Sequence, residues 1–419
     1  MNFASSPNPV GSGARALGMG GAFIGVADDA TAASWNPGGL VQLKAPEISF
    51  VGNWLHRIED NTFGGHPEAN GAQTISKEDL NYFSVAYPFH LFNRNMIVSL
   101  NYQNLYDFTR EWSFPIIHES KPDAPLKFTS DSNNDYQQNG TLSALGIACS
   151  AQIVPNFFFG FTLNLWDDDL SNNKWEENYR FSVLKITTWP VISTTNEINH
   201  WKDRYLFSGF NFNIGMLWHV TNELTIGMVF KSPFTADVKH ERITIQEKVV
   251  NSQEKEPGIS HYNFNEKLDM PMSYGLGIAY RFSDEFTVSA DIYRTEWQDF
   301  ILTEQDGTEK SFITGKPAEE SDIDPTHQFR MGAEYMFIKS DYTIPLRAGA
   351  FYDPVPAEGS PDDYYGVSMG AGIAIGRYLF DIACQYRFGN DVGDSIVQDA
   401  DFSHYVDEYM VYSSLIIHF

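Results

Sequence analysis

The chain has 419 residues and a formal net charge of −26, with 54 acidic against 28 basic side chains. This balance argues against nucleic acid as a partner, because phosphate binding needs a basic face. Hydrophobic residues make up 42% and aromatic residues 15%, yet no run approaches the roughly 18 consecutive apolar residues of a membrane-spanning helix. These features argue against a helical membrane protein but not against a membrane β-barrel, which needs an apolar residue only at every second position.

The two cysteines and the first residues of the chain give no sign of a disulfide, a metal site or a signal peptide. Cys149 and Cys384 lie far apart on the apolar faces of predicted strands, which favours packing as small hydrophobic residues over a disulfide or a metal site. With no CxxC motif and no histidine cluster at metal-binding spacing, we expect no metal and no cofactor. The opening MNFASSPNPV lacks the basic start and apolar run of a signal peptide, so if the protein is exported we expect Met1 to replace a removed signal.

The first 45 residues are rich in glycine and alanine and have no clean period of either helix or strand. Ala27–Ala33 predicts a short helical turn, which Pro37 and the two glycines after it must end. Such a segment has too few large side chains to build its own core. We predict that residues 1–45 are held inside a partner domain, with close backbone approach allowed by glycines at 11, 13, 18, 20, 21 and 25.

From Glu47 onward the sequence alternates as strands do. In Pro271–Phe282 the even positions are Met, Tyr, Leu, Ile, Tyr and Phe, and the odd positions from Ser273 to Arg281 are small or charged. A soluble sandwich would put the large apolar face in its core, whereas a membrane barrel would put it on lipid. The same alternation recurs in Phe157–Trp166, Phe210–Trp218, Tyr365–Ile375, Leu379–Phe388 and residues 409–419.

Segment length and the connections favour the barrel. The segments run about nine to eleven residues, enough for a tilted strand to cross a bilayer. Short connections alternate with long polar ones, which fall near 58–78, 109–138, 167–204, 237–268, 303–325, 354–363 and 389–401. Short turns at one end and long loops at the other are typical of outer-membrane barrels. We therefore predict an all-β fold, an antiparallel transmembrane barrel of about fourteen strands over residues 46–419.

The N-terminal segment carries a family resemblance. ADDA at Ala27–Ala30 followed by NPGGL at Asn36–Leu40 resembles the plug, or hatch, of the long-chain fatty acid outer-membrane transporter (FadL/TodX) family. The blocks Leu276–Trp297 and Arg330–Tyr335 with Leu346–Pro356 are also similar to that family. Residues 100–265 match in pattern only, and glycine stands at position 38 where alanine is usual.

The resemblance implies a fourteen-stranded barrel closed by an N-terminal hatch in the outer membrane of a Gram-negative bacterium. It also implies uptake of fatty acids or other hydrophobic compounds, including aromatic hydrocarbons in some branches. A related branch with a similar N-terminal signature serves protein secretion or surface attachment.

Several charged and aromatic residues fall on the predicted lumen-facing parity. The charges either brace strands and hatch as a ladder of ion pairs, or Arg330 or Arg347, nearer mid-strand, orients a ligand carboxylate. The large apolar residues either line a ligand pocket or pack against the hatch. The charged set is Arg281, Arg330, Arg347, Arg387, Asp291, Glu334 and Asp381, and the apolar set is Phe351, Phe158, Trp166 and Leu217.

The long connections 167–204 and 237–268 contain Trp175, Trp189, Trp201 and Phe264. Exposed aromatic side chains are costly in a loop unless they cover one another or catch a ligand. The resemblance implies that these loops form an outer capture groove, and simple loop packing is the alternative.

Five residues of the N-terminal segment are candidates for a hatch gate. Asp28, Asp29 and Asn36 either bond their own backbone in turns or latch the hatch to lumen arginines until ligand binding releases it. Pro37 and Gly38 mark the passage from hatch to barrel.

The sequence shows no GxSxG motif, no Walker loop and only scattered histidines, so we do not expect an enzyme. We predict passive uptake of hydrophobic compounds, with long-chain fatty acids as the first choice, by a monomer in outer-membrane lipid. Two alternatives stay open: a secretion- or surface-attachment-associated barrel that binds a protein partner, and an open hydrophilic porin.

Overall fold

The computed structural model describes Pro7, residues 11–394, Ile396 and Val397, and residues 401–419. In this part of the chain the helices are α1 (Ala14–Gly18), α2 (Ala32–Trp35) and 3-10 turns at Pro37–Gln42, Pro67–Ala69, Trp297–Asp299 and Ala318–Glu320. None of these helices has the length and apolar character to cross a membrane.

Within the described residues, twenty-one strands form one antiparallel sheet. In chain order they are β1 (Glu47–Phe63), β2 (Gly71–Leu91), β3 (Arg94–Asp107), β4 (Arg110–Glu119), β5 (Lys127–Val154), β6 (Phe157–Trp166), β7 (Lys174–Trp189), β8 (Ser193–His219), β9 (Leu224–Lys231), β10 (Phe234–Val250), β11 (Gln253–Glu254), β12 (Gly258–Met270), β13 (Ser273–Arg281), β14 (Phe286–Thr295), β15 (Ile301–Thr303), β16 (Glu309–Ser311), β17 (Thr326–Ile338), β18 (Tyr342–Tyr352), β19 (Tyr364–Ile375), β20 (Tyr378–Val392) and β21 (Phe402–His418).

The sheet closes into a barrel because β1 pairs with β21 along its whole length, from Glu47 opposite His418 to Phe63 opposite Phe402. Four strands are interrupted and continue as the next one: β3 as β4, β6 as β7, β9 as β10, and β12 as β13. With β11, β15 and β16 confined to connections, the wall is crossed fourteen times. The predicted fourteen-stranded antiparallel barrel is confirmed.

The connections differ from the prediction at one end. We call the end with the short turns the lower end and the opposite end the upper end. The predicted loop 58–78 is mostly strand, the end of β1 and the start of β2. Three further segments predicted as long loops, 109–138, 167–204 and 237–268, are also mostly strand, namely β4 with the start of β5, β7 with the start of β8, and β10 with β12. Their polar sequence indicates contact with water, but antiparallel pairing still satisfies their backbone groups. We call these six paired strands the upper sheet. The predicted loop 389–401 lies partly outside the described residues.

The outward face of the barrel wall is apolar, as alternation predicts. Leu276, Ile278 and Tyr280 of β13 are all more than 40% exposed, and the residues between them face inward. Cys384 is exposed on this outward face and Cys149 is half-buried, and both are free thiols.

The N-terminal segment, residues 11–46, lies inside the barrel and is almost wholly buried. Helix α1 packs on β18–β21, and the 3-10 turn Pro37–Gln42 packs on β3, β5, β6 and β8. The first wall strand begins at Glu47. The wall therefore supplies the core that this glycine-rich segment cannot build for itself.

The upper mouth is covered by the connection between β14 and β17. Its buried side chains pack against wall residues of the upper half to form the largest apolar cluster of the described chain. The covering residues are Trp297, Phe300, Phe312, Ile313 and Ile323, and they meet Trp166, Phe207, Leu268 and Met270 among others.

Candidate functional site

The inner wall is shaped to fit the N-terminal segment by three cross-strand pairs of glycines. Gly160 faces Gly215, Gly227 faces Gly277, and Gly332 faces Gly349. At each of these positions a Cβ would overlap an atom of the segment or, at Gly277, also of Asp291. Backbone thus packs directly on backbone, which only glycine permits.

Asn36 joins the segment to the wall through main-chain groups. Its side-chain amide donates to the carbonyls of Ile24 in the segment and Met216 in β8, both at 2.9 Å, and its Oδ1 accepts from Gly38 N at 3.1 Å. Asn36 therefore bonds its own turn, which is one of the two roles predicted for it, and it also contacts the wall. The wall partner is a carbonyl, not an arginine.

Asp28 and Asp29 likewise bond within the segment. Asp29 accepts from the backbone N and hydroxyl of Thr31, at 2.8 and 2.6 Å. Both aspartates form ion pairs with Arg15 of α1, and neither pairs with a lumen arginine in the described chain. The side chain that reaches the wall is Arg15, which sequence analysis missed.

Arg15 begins a chain of buried ion pairs. It contacts Glu334 of β17 at 2.8 Å, Glu334 contacts Arg347 of β18 at 2.6 Å, and Arg347 contacts Asp381 of β20. This row borders a cavity of about 920 Å³ at the lower end, which Arg281 also lines. The Arg347 guanidinium is therefore held by two carboxylates.

Arg330 is held as well. Its guanidinium donates to the carbonyl of Gly20 at 3.0 Å and contacts Asp353 at 3.2 Å, and Arg387 contacts the other oxygen of Asp353 at 3.1 Å. Phe351 lies 5.0 Å from the Arg330 guanidinium, within range of a cation–π contact. This arrangement matches the ladder of ion pairs that sequence analysis left open beside carboxylate binding.

The four predicted pocket residues are all buried, but they do not meet in one place. Phe158 lies near the lower turns with its ring against His219 at 5.0 Å, and Leu217 is its register partner. Trp166 belongs to the upper apolar cluster and donates from Nε1 to Asn211 at 3.0 Å. Phe351 stays with Arg330. The alternation along each strand predicts correctly that these side chains face the lumen. It does not predict their heights along the barrel, and these heights keep them apart.

The predicted capture residues have different environments, and all lie on strands. Trp175 is 1% exposed and stacks between Phe108 and Tyr205. Trp201 is half-buried and stacks on Tyr179 at 5.4 Å, whereas Trp189 is 61% exposed at the end of β7. Phe264 is half-buried on β12. Only Trp189 has the open exposure expected of a capture residue.

The wall contains a seam between β2 and β3. Their backbone register ends at Tyr82 opposite Gln103, and β2 continues upward paired with β1 alone. Beyond that point side chains bridge the two strands. Lys77 contacts Asp107 at 2.9 Å, Asn104 donates to Asp79 at 3.0 Å, and the Asn81 amide reaches the Asn104 carbonyl at 3.4 Å.

A cavity of about 110 Å³, which we call the seam cavity, lies between this seam and the N-terminal segment. Leu17 and Trp35 of the segment and Leu55, Leu105 and Met410 of the wall give it an apolar side. The polar lining is Asn53, Lys77, Asp79, Asn81, Asn104, Asp107, Arg330, Asp353, Gln385 and Glu408. None of the β2 members was among the predicted site residues, and Lys77 lies in the segment 58–78 that was predicted to be a loop.

Two smaller cavities have volumes of about 40 and 10 Å³; wall residues line the first, and residues of the N-terminal segment help to line the second. Lys231 lines both, beside Trp166, Phe234 and Met270 in the first and Asp291 and Tyr293 in the second. Leu105 and Tyr106 line both the seam cavity and the cavity of about 40 Å³, so these two cavities are neighbours.

The described chain holds one cluster of metal-ligand type, Asp167, Asp168 and Asp169, whose carboxylate oxygens lie within 4.8 Å of one another. Asp167 accepts from the backbone N of Asp169 and Leu170 at 3.1 and 2.8 Å. The cluster is accounted for as the cap of the turn between β6 and β7.

Comparison with known proteins identifies the family. The family model described as outer membrane protein transport protein (OMPP1/FadL/TodX) matches residues 10–393. No curated protein sequence matches the chain. Among solved structures, a Pseudomonas aeruginosa FadL homologue is 14% identical with a TM-score of 0.64, covering 98% of each chain.

Two further structures are similar in fold. The Pseudomonas putida toluene transporter TodX is 14% identical with a TM-score of 0.59, covering 98% of this chain and 100% of its own. The CymD monoaromatic hydrocarbon channel is 15% identical with a TM-score of 0.54, covering 98% of each chain. At this level of identity the likeness to these structures concerns the fold alone.

Proposed function

This chain belongs to the OMPP1/FadL/TodX family of outer-membrane transport proteins, and on that premise we propose a route and a ligand class for it. The protein is an outer-membrane transporter of hydrophobic compounds and not an enzyme. The proposal is that the ligand enters at the upper end, passes below the upper apolar cluster to the seam cavity, and leaves sideways through the seam between β2 and β3.

The observation that carries this route is the seam cavity. It lies where the β2–β3 backbone ladder stops, so that only side chains separate it from the outside of the wall. Leu80 of β2, next to the seam, is 44% exposed on the outer face. An apolar molecule leaving there would pass into lipid without crossing water, which favours the sideways exit over a downward one.

We propose that the ligand is an amphiphile, with long-chain fatty acids as the class, and not a bare aromatic hydrocarbon. Half of the twenty residues that line the seam cavity are polar or charged. A hydrocarbon offers nothing to these groups and would leave them poorly solvated, which is costly. An amphiphile offers a polar end to them and a chain to Leu17, Leu55 and Met410.

For the N-terminal segment we propose the role of a plug, residues 1–45, seated in the barrel of residues 46–419. Asp28, Asp29, Asn36, Pro37 and Gly38 would keep it in place through Arg15 and the wall. Support comes from its buried bonds to β8 and β17. We further propose that the protein acts as a monomer.

The route is tested by closing the seam. Asp79→Cys and Asn104→Cys, in a Cys149→Ser, Cys384→Ser background, are bridged by a short disulfide-forming bifunctional reagent, and uptake of labelled palmitate by expressing cells is measured. Uptake should fall to the level of cells without the protein and recover after reduction. The control pair is Val85→Cys with Leu100→Cys, register partners below the seam. Full uptake with a bridged seam would refute the sideways route, and absence of uptake by the unmodified protein would refute the ligand class.

A further inference from the structure

The charges of the seam cavity say more about its ligand than the presence of polar groups does. Resting on the proposed function, we propose that the seam cavity accepts an amphiphile only with an uncharged, hydrogen-bond-donating head group. A protonated fatty acid or a fatty alcohol fits this description, and an ionised carboxylate does not.

The carboxylates that line the cavity outnumber the cations. β2 contributes Lys77 and Asp79, β3 contributes Asp107, and β17 contributes Arg330, while Asp353 follows β18 and Glu408 stands on β21. The lining residues of the N-terminal segment, β1 and β20 bear no charge, and Tyr106 and Tyr412 are the remaining titratable groups. Four carboxylates thus face two cations.

Both cations are already held by carboxylates. Lys77 Nζ lies 2.9 Å from Asp107 and 3.5 Å from Asp79, and Arg330 lies 3.2 Å from Asp353. Glu408 pairs at 3.1 Å with Arg57, just above the cavity. An incoming carboxylate would have to displace an existing partner and leave that group charged and unpaired. The cost is greatest at the buried pair of Arg330 and Asp353 and smaller at Lys77, which is partly exposed.

Hydrogen-bond acceptors are also in surplus around the cavity. Asn53 Oδ1, Asn81 Oδ1 and Glu408 Oε1 are buried and accept no hydrogen bond from the described residues. The amide orientation of Asn81 is fixed, because its nitrogen donates to the Asn104 carbonyl and the Tyr412 hydroxyl. A hydroxyl or a protonated carboxyl brings the donor that such surroundings lack.

The protonated acid also suits the exit. A carboxyl group leaving water for a low-dielectric site keeps its proton more readily, and the neutral acid enters lipid far more easily than its anion. One proton therefore travels with each fatty acid molecule and returns to water when the acid ionises at the membrane surface. The volume of about 110 Å³, against the roughly 150 Å³ that holds benzene in an engineered cavity, is that of a head group with its first methylenes.

The test compares head groups on one chain length. Binding of 1-hexadecanol, palmitic acid and methyl palmitate to the detergent-solubilised full chain is measured at pH 5.5 and pH 8.5. Palmitic acid should bind at least about tenfold more weakly at pH 8.5, the factor of one pKa unit. Hexadecanol, which has no titrating group, corrects for any titration of the protein. Methyl palmitate, which accepts but cannot donate, should bind more weakly than hexadecanol at both pH values.

A single substitution tests whether the negative charge of the cavity lining causes the discrimination against palmitate. Asp79→Asn should raise the ratio of palmitate to hexadecanol binding at pH 8.5, while Asp60→Asn, exposed on β1 outside the cavity, should leave it unchanged. Equal palmitate binding at the two pH values, or equal binding of ester and alcohol, would overturn the head-group inference and leave the proposed function standing. Failure of all three ligands to bind would remove the proposed function and the inference with it.

Discussion

Gly215 shows how one residue decides whether the N-terminal segment fits its barrel. It stands on the inner face of β8 opposite Gly160, beside Asn36 and Pro37. Sequence analysis noticed the glycines of the segment, but the wall needs matching glycines at the same heights. Gly215 does not have a positive φ, so its backbone conformation does not require glycine. Glycine is required because the N-terminal segment packs closely against this position.

We predict that Gly215→Ala destabilises the protein by about 1–3 kcal/mol, the usual range for overpacking. The added methyl would overlap Asn36 Oδ1 and the Pro37 ring, so the turn at Asn36 must move away from β8. Urea unfolding in detergent measures the loss of stability. The matched control is Gly52→Ala on β1, where a Cβ has its nearest neighbour at 3.6 Å. Equal stability of the two variants would contradict this account.

At the scale of elements, the upper sheet has an interior of its own. Phe108, in the break between β3 and β4, begins a row of stacked rings that continues with Trp175 of β7, Tyr205 of β8 and His240 of β10, with centroid separations of 4.8, 4.7 and 4.2 Å. His240 ends the row between two carboxylates, at 2.6 Å from Asp203 and 3.3 Å from Glu266. The long hairpins are therefore packed structures, and their aromatic residues are structural wherever they face this row.

The stack predicts a pH dependence for the upper sheet. Burial lowers the pKa of His240, but the hydrogen bonds and charges of Asp203 and Glu266 outweigh it and raise that pKa above its usual value. Because the pKa of His240 is higher in the folded than in the unfolded protein, protonated His240 stabilises the fold. This stabilisation is complete below about pH 6.5, the unfolded value, and is lost as pH rises through the folded value. For His200 on the same sheet, burial and the charges of Lys202 and Arg180 lower the pKa.

NMR titration of labelled histidine side chains, assigned with His→Gln variants, checks this prediction. His240 should deprotonate at higher pH than His200. A His240 transition at or below that of His200 would show that the carboxylates do not hold the ring in its charged form.

In the whole molecule, a closed barrel with a seam between β2 and β3 surrounds the N-terminal segment. The hydrogen-bonded circuit from β1 to β21 contains no strand of the N-terminal segment among the described residues. The segment is bound instead through side chains and backbone contacts, such as Tyr82 to the Ala30 carbonyl at 2.8 Å and Asp291 to two segment amides. The barrel strands of the described chain therefore form a closed sheet without any strand pairing to the N-terminal segment.

Removing residues 1–45 should leave the barrel folded and open it. We expect unchanged strand content by circular dichroism and a clear increase in ion conductance in planar bilayers, because the large side chains that fill the lumen at this height belong to the segment. A control deletion of residues 176–203 in the upper hairpin should leave conductance low. Failure of the shortened chain to form a barrel, or unchanged conductance, would show that the segment is not a plug.

Alternation and strand length determined the wall from the sequence, because each wall residue faces either lipid or lumen and a period of two records that choice. Inward facing of Arg330, Arg347, Phe158 and Trp166 followed from the same parity. Strand registers, heights and partners did not, since they join residues hundreds of positions apart. That Arg347 is held by Glu334 and Asp381, and that Trp175 is buried in a sheet predicted as a loop, depends on which strands lie side by side.

The seam was equally out of reach of the sequence. Lys77, Asp79 and Asp107 are ordinary charged residues in polar stretches, and nothing local marks the point where β2 and β3 part. Only the closed barrel decides that these side chains bridge a gap in the wall and that Leu17 and Trp35 complete a cavity behind it. The local sequence pattern determines whether a wall residue faces lipid or lumen, because side chains alternate along a strand. The tertiary structure determines which side chains it contacts, because those partners lie on other strands.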